Sequence, residues 1–168
     1  MTRFDQCLKF VLASEGGFVD DPTDRGGATN FGVTQVTYDT YRDKLGVPRQ
    51  SVKNISNDEV KVIYAKQYWC DGLPPPLDLL VFDSSVQHGT SRARKWLQRC
   101  VGVHDDGVVG AATMSAVNVA DKHALVEKYF AIRDAFYERI ISNDPSQEKF
   151  RRGWANRMSH LRQEITKA

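Results

Sequence analysis

Glu15-Gly16-Gly17-Phe18-Val19-Asp20-Asp21-Pro22-Thr23-Asp24-Arg25-Gly26-Gly27-Ala28-Thr29-Asn30-Phe31-Gly32 holds five of the chain's twelve glycines and divides a helical pattern from everything after it. Upstream, Phe4, Cys7, Leu8 and Val11 recur at spacings of three and four, the period of an amphipathic helix. One more step of four lands on Glu15. The pattern predicts a helix that carries a carboxyl on its buried stripe in its last turn and stops at Gly16 or Gly17. A carboxylate there faces the negative end of the helix macrodipole, at a cost of ~0.3–1 kcal/mol. Apolar neighbours disfavour the charged form further. Both effects favour a side chain that keeps its proton, which a general acid near neutral pH requires. The plainer alternative is a helix closed by Gly-Gly with a partly exposed glutamate at its end.

Downstream, Asp24-Arg25-Gly26-Gly27-Ala28-Thr29 reads as a hairpin tip, with Phe31, Val33 and Val19 as strand residues. A small irregular β-hairpin is therefore expected beside the first helix, holding Asp24, Thr29 and Asn30 opposite Glu15. The remaining pattern is helical. Thr34 to Leu45 carries Tyr38, Tyr41 and Leu45, and Ser56-Asn57-Asp58-Glu59 is a capping box opening a helix through Trp69. Leu77 to His88 is apolar around most of its circumference, as in a helix buried on most sides. Asp83 and Gln87 lie four apart within it, Asp83 read as a solvated edge and Gln87 as facing a groove. Further helices are expected from Thr90 to Cys100, from Thr113 to Val119, after Asp121 through Ile141, and from Trp154 to Ile165, with Gly153 as a break. On the long one, Leu125, Tyr129, Ile132, Phe136 and Ile140 track one face.

At 168 residues, 41% hydrophobic and 26% charged, the chain has the balance of a globular protein with a real core and not that of a disordered one. A net charge of +2 does not argue for nucleic acid, and no basic motif interleaves with aromatics. No apolar run approaches the ~20 residues of a membrane span, and the N-terminus lacks an apolar signal core. Cys7, Cys70 and Cys100 are an odd, widely spaced set, read as reduced buried thiols. His88, His104, His123 and His160 show no ligand spacing, so neither metal nor cofactor is expected. From Asn143 onward six Lys or Arg face three acids. That surplus reads as a solvated face or as attraction of a basic C-terminal helix to an anionic bacterial membrane.

Glu15-Gly-Gly followed by Pro22, Asp24, Gly26-Gly27, Thr29 and Gly32 resembles the opening of glycoside hydrolase family 108, bacterial and phage N-acetylmuramidases. Val81-Phe82-Asp83 with Val86-Gln87-His88-Gly89 resembles the helix that follows in that family. Leu97-Gln98-Arg99 through Asp106-Gly107-x-x-Gly110-x-x-Thr113 resembles its accompanying peptidoglycan-binding region. The resemblance implies a mainly α, lysozyme-like fold. Residues 1–89 would form the catalytic part and 90–168 a helical C-terminal part packed into the same compact unit. It implies Glu15 as catalytic acid, with Asp24 and Thr29 from the hairpin. Asn30 occupies the place where the family's threonine is expected, so either Thr29 or Asn30 orders the water. Tyr64, Tyr68, Trp69 and Gln87 are candidate sugar contacts. The implied partner is the peptidoglycan glycan strand, cut between N-acetylmuramic acid and N-acetylglucosamine by a monomer. That monomer would be made in the cytoplasm and reach the wall through a holin-type or other export route. The alternatives are a lytic transglycosylase and a non-catalytic wall-binding or secretion-accessory protein.

Overall fold

The computed structural model describes residues 1–20 and 27–167, which fall into two compact units, Met1–Trp69 and Cys70–Ala168. Secondary structure is mainly α, with one small antiparallel hairpin after the first helix, as the pattern predicts.

In the first unit, α1 spans Arg3–Ala13 and opens on a capping box in which Thr2 and Asp5 satisfy each other's backbone N–H groups. Cys7, Leu8 and Val11 are its buried stripe. The helix ends earlier than its apolar spacing suggests. The N–H groups of Ser14 and Glu15 turn back to Val11 and Leu12, both at 3.1 Å, a tightened last turn that finishes before Gly16. Neither Gly16 nor Gly17 adopts positive φ, so the glycines do not cap the helix, and Glu15 lies just beyond it.

Strands β1 (Thr29–Asn30) and β2 (Val33–Thr34) pair Thr29 with Thr34 and Asn30 with Val33. The turn between them is Phe31-Gly32, with φ of 50° and 72°. Both central residues at positive φ make the mirror-image turn that matches strand twist, which explains why the second is glycine. Phe31 is thus a turn residue and not a strand residue. Val19 joins the ladder through a single bridge to Thr29. Most of the expected tip, Asp24 to Gly26, lies outside the described residues. Thr34 then caps α2 (Gln35–Lys44), accepting from the Thr37 N–H at 3.2 Å. Helix α3 (Asn57–Gln67) opens on the expected Ser56/Glu59 capping box, and Glu59 also receives the Tyr38 hydroxyl and the Arg42 guanidinium, both at 2.8 Å. The core of this unit is Val11, Val33, Tyr38, Val52, Val60, Ile63 and Tyr64 with their neighbours.

The second unit holds α4 (Leu77–His88), α5 (Thr90–Val101), α6 (Ala111–Val119), α7 (Lys122–Asn143) and α8 (Arg151–Thr166). Every residue of α4 from Leu77 to Ser85 is buried. Asp83 is therefore not a solvated edge: its side chain is 0% exposed because two guanidiniums enclose it. Gly89, at φ 87°, folds α5 back on α4. Gly153 does not interrupt the last helix and sits inside α8. On α7 the buried set is Leu125, Val126, Tyr129, Phe130, Arg133 and Tyr137, a stripe displaced from the one read through Ile132 and Phe136.

Candidate active site

Glu15 emerges from the tightened end of α1 and turns toward the hairpin. Its carboxylate lies directly over Gly32: a Cβ built there would stand 2.9 Å from Glu15 Oε2 and 2.7 Å from the Tyr64 hydroxyl. Only a residue without a side chain lets a carboxyl and a phenol meet the turn at that distance. The Tyr64 hydroxyl donates to the Phe31 carbonyl at 2.8 Å, tying α3 to the same turn. Tyr64 itself is 1% exposed, so its ring is core and only its hydroxyl reaches this seat. Tyr68, one turn further along, packs edge-on against Tyr64 at 5.2 Å. Its phenol is pushed up chiefly by burial and secondarily by the negative charge of Glu15, which places that charge in its electrostatic reach. Glu15 is half-buried, so it is accessible to a substrate yet partly withdrawn from water.

The other sequence candidates take varied positions. Thr29 is half-buried in β1. Asn30 points inward, its amide donating to the Val52 and Lys53 carbonyls at 3.2 Å each, and so fastens the hairpin to the turn Val52–Asn54. Trp69 meets Phe4 edge-to-face at 5.2 Å, at the opposite end of α1 from Glu15. Gln87 is exposed on α4 of the second unit. Asp24 lies outside the described residues. Glu15, Tyr64 and Tyr68 are thus the candidates that the first unit brings together. The role of Gly32 as a seat was hidden in the sequence, where it reads as one turn glycine among several. The Phe31-Gly32 pair between two short β-like steps is the signal that marks it.

In the second unit the motif around Gln98 is structural. Gln98 is 1% exposed; its amide N–H groups reach Asp106 Oδ1 at 2.8 Å, the Val108 carbonyl at 3.0 Å and Thr113 Oγ1 at 3.2 Å. Its amide oxygen accepts from the Gly107 N–H at 2.8 Å. One buried side chain thereby laces α5 to the whole Asp-Gly-x-x-Gly-x-x-Thr turn, and the carboxyl of Asp106 is held below its usual range by that bond. In the same unit, Asp83 joins Arg133 at 2.7 Å and Arg157 at 2.8 Å. Burial opposes the charge on Asp83, but the two guanidiniums outweigh it and hold the carboxyl below its ordinary range. His88 bonds Tyr137 at 3.1 Å, and burial, reinforced by Arg133, lowers its imidazole to about 3. The tail's basic residues are mostly engaged as well: Arg151 with Glu138, Arg157 with Asp83, Arg162 with Glu127 and Lys167 with Glu164. Among the described residues no group of His, Cys, Asp and Glu is arranged to hold a metal.

Fold and seat together describe a small, mainly helical protein that sets a half-buried carboxyl over a tight turn. The family model for glycosyl hydrolase 108 matches residues 8–89, and that for a predicted peptidoglycan domain matches residues 92–159. The solved structure of Brucella abortus SagA is similar throughout, with a TM-score of 0.79 and 32% identity over 97% of this chain and 93% of that one. No curated protein matches. The chain belongs to the glycosyl hydrolase 108 family, and it is a peptidoglycan-acting glycosidase.

Proposed function

We propose that the chain is an N-acetylmuramidase, hydrolysing the β-1,4 bond between N-acetylmuramic acid and N-acetylglucosamine with Glu15 as general acid. The observation that carries this reading is the seat of Glu15: a half-buried carboxyl fixed over Gly32 beside two tyrosines, within the stretch that matches the glycosidase family. Hydrolysis of a glycosidic bond needs a proton for the leaving oxygen as the sugar approaches an oxocarbenium ion. Glu15 Oε2 supplies it, and the flanking phenols orient the carboxyl while excluding water from one side. By its place in the sequence motif, Asp24 takes the second part, supporting positive charge or activating water, with Thr29 of β1 to order that water. Tyr68 is the aromatic best placed to meet a sugar. The biological role we infer is that of an endolysin-like enzyme acting on the wall after export.

Mass spectrometry of purified sacculi digested by the parent and by Glu15→Gln tests the reading. Reducing N-acetylmuramic ends, absent with the variant, are expected. Ends in 1,6-anhydromuramic acid would replace hydrolysis by a transglycosylase step. Reducing N-acetylglucosamine ends would move the cut to the other linkage.

A further inference from the structure

The second unit carries a groove of about 590 Å³ at the start of α5, between α5 and α7. Arg92, Lys95 and Arg99 line it from α5 at spacings of three and four, one face of a helix, and Phe136 and Arg139 line it from α7. At a rise of ~1.5 Å per residue the α5 row extends over roughly 10 Å. Its charge is only partly compensated, by Asp105, which pairs with Arg99 and lies within electrostatic reach of Lys95. Arg99 is paired with Asp105 at 2.5 Å, but Arg92, Lys95 and Arg139 have no ion-paired carboxylate among the described residues. The basic tail, by contrast, spends most of its cations on internal ion pairs.

Two of the groove's guanidiniums are already oriented. Arg92 lies 4.6 Å and Arg139 5.9 Å from the ring centre of Phe136. A ring contact uses the face of a guanidinium and leaves its in-plane N–H groups for oxygens; one of those of Arg92 donates to the His88 carbonyl at 3.3 Å, and the others remain for carboxylate or phosphate. Several cations of one sign facing a shared cavity repel one another when it is empty, and an anionic ligand relieves that repulsion.

We propose that this groove binds the carboxylates of peptidoglycan stem peptides, so that the second unit reads the peptide while the first cuts the glycan. The inference rests on peptidoglycan being the substrate. In that polymer the lactyl acid of the sugar is amidated, and the negative charges reside on the peptide. A row of ~10 Å spans about three residues of extended peptide at ~3.3–3.6 Å each. Single-stranded nucleic acid would need open rings for stacking, but Trp96 is 2% exposed and Phe136 is flanked by guanidiniums. A lipid surface would need apolar side chains to insert, and none of the exposed large hydrophobic residues lines the groove.

The test uses the full chain in its Glu15→Gln form, so that wall material survives the measurement. Binding by cosedimentation is compared on intact sacculi and on sacculi stripped of stem peptides by an amidase. Adding Lys95→Glu and Arg139→Glu is expected to weaken binding to intact sacculi about 10-fold and to leave binding to stripped sacculi unchanged. Lys95→Gln with Arg139→Gln is expected to give a smaller loss of the same sign, and circular dichroism of both forms guards against misfolding. Equal binding of parent and variants to intact sacculi overturns the proposal, as does a parent that does not distinguish intact from stripped. Groove-dependent capture of phosphatidylglycerol vesicles, or competition by inorganic phosphate but not by a free stem tetrapeptide, also overturns it by assigning the groove to phosphate. Because binding is read without turnover, failure of the muramidase assignment and failure of the groove assignment give separate results.

Discussion

Two carboxylates, one in each unit, occupy opposite surroundings. Asp83 is sealed from water and clasped by Arg133 and Arg157 at 2.7 and 2.8 Å, so a proton would have to displace two cations to reach it. Glu15 is half-buried over a glycine, and Tyr64 and Tyr68 beside it are uncharged. Burial alone does not separate a residue that holds the scaffold from one that performs chemistry. Asp83 is settled by its neighbours: two cations fix its carboxylate in one state, while the acid role proposed for Glu15 rests on its seat over Gly32 within the stretch that matches the family.

The contrast breaks most directly at Glu15. Glu15→Gln removes the exchangeable proton without changing shape, and sacculus hydrolysis is expected to fall by about 10³-fold or more with the thermal transition unmoved. Activity within tenfold of the parent would mean that another group is the acid. Asp83→Asn should do the reverse. It leaves the buried Arg133 uncompensated and is expected to cost ~3–5 kcal/mol in urea denaturation, while the folded fraction keeps far more activity than Glu15→Gln does. Gly32→Ala joins both effects on a smaller scale. Positive φ costs an L-residue ~1–2 kcal/mol, and the new methyl collides with both Glu15 and Tyr64, so a fall in melting temperature should accompany a larger fall in turnover than in substrate affinity.

The smallest expected effect is on pH dependence. The imidazole of His88 is lowered to about 3 in the folded chain, whereas unfolded it titrates near 6.5. The unfolded state therefore binds the extra proton as the solution is acidified, and stability falls with pH below about 6.5. The contribution of Asp83 has the other window. Its folded value is depressed, so its stabilisation is complete above the ordinary carboxylate range and is lost only as pH falls through the depressed value. Between about pH 6.5 and 5 the His88→Gln variant should lose up to ~1.4 kcal/mol per pH unit of acid sensitivity, read from urea midpoints. An unchanged slope would show that the imidazole is protonated in the folded protein.

Much of this architecture was legible from residue spacing because local rules act within a few positions. The Ser56/Glu59 box, the glycine after His88 and the apolar girth of α4 each locate an element without knowledge of the rest. What escaped depended on partners distant in the chain. Asp83 reads as a polar edge until Arg133, fifty positions on, and Arg157, seventy-four on, are known to enclose it. The clue is Arg133 itself, four residues from both Tyr129 and Tyr137 on the buried stripe of α7. The site was half legible. Apolar spacing led to Glu15, but spacing says nothing of the end of α1, where backbone N–H groups tightened the last turn before the glycines. Asn30 and Trp69 have residue types suited to sugars, and their types do not reveal that one fastens a hairpin and the other packs on Phe4.

Cys7, Cys70 and Cys100 are all buried thiols, and burial pushes Cys70 up and Cys100 up to about 11. Little thiolate is available at neutral pH for oxidants or disulfide exchange to attack. The covalent skeleton is accordingly indifferent to redox poise.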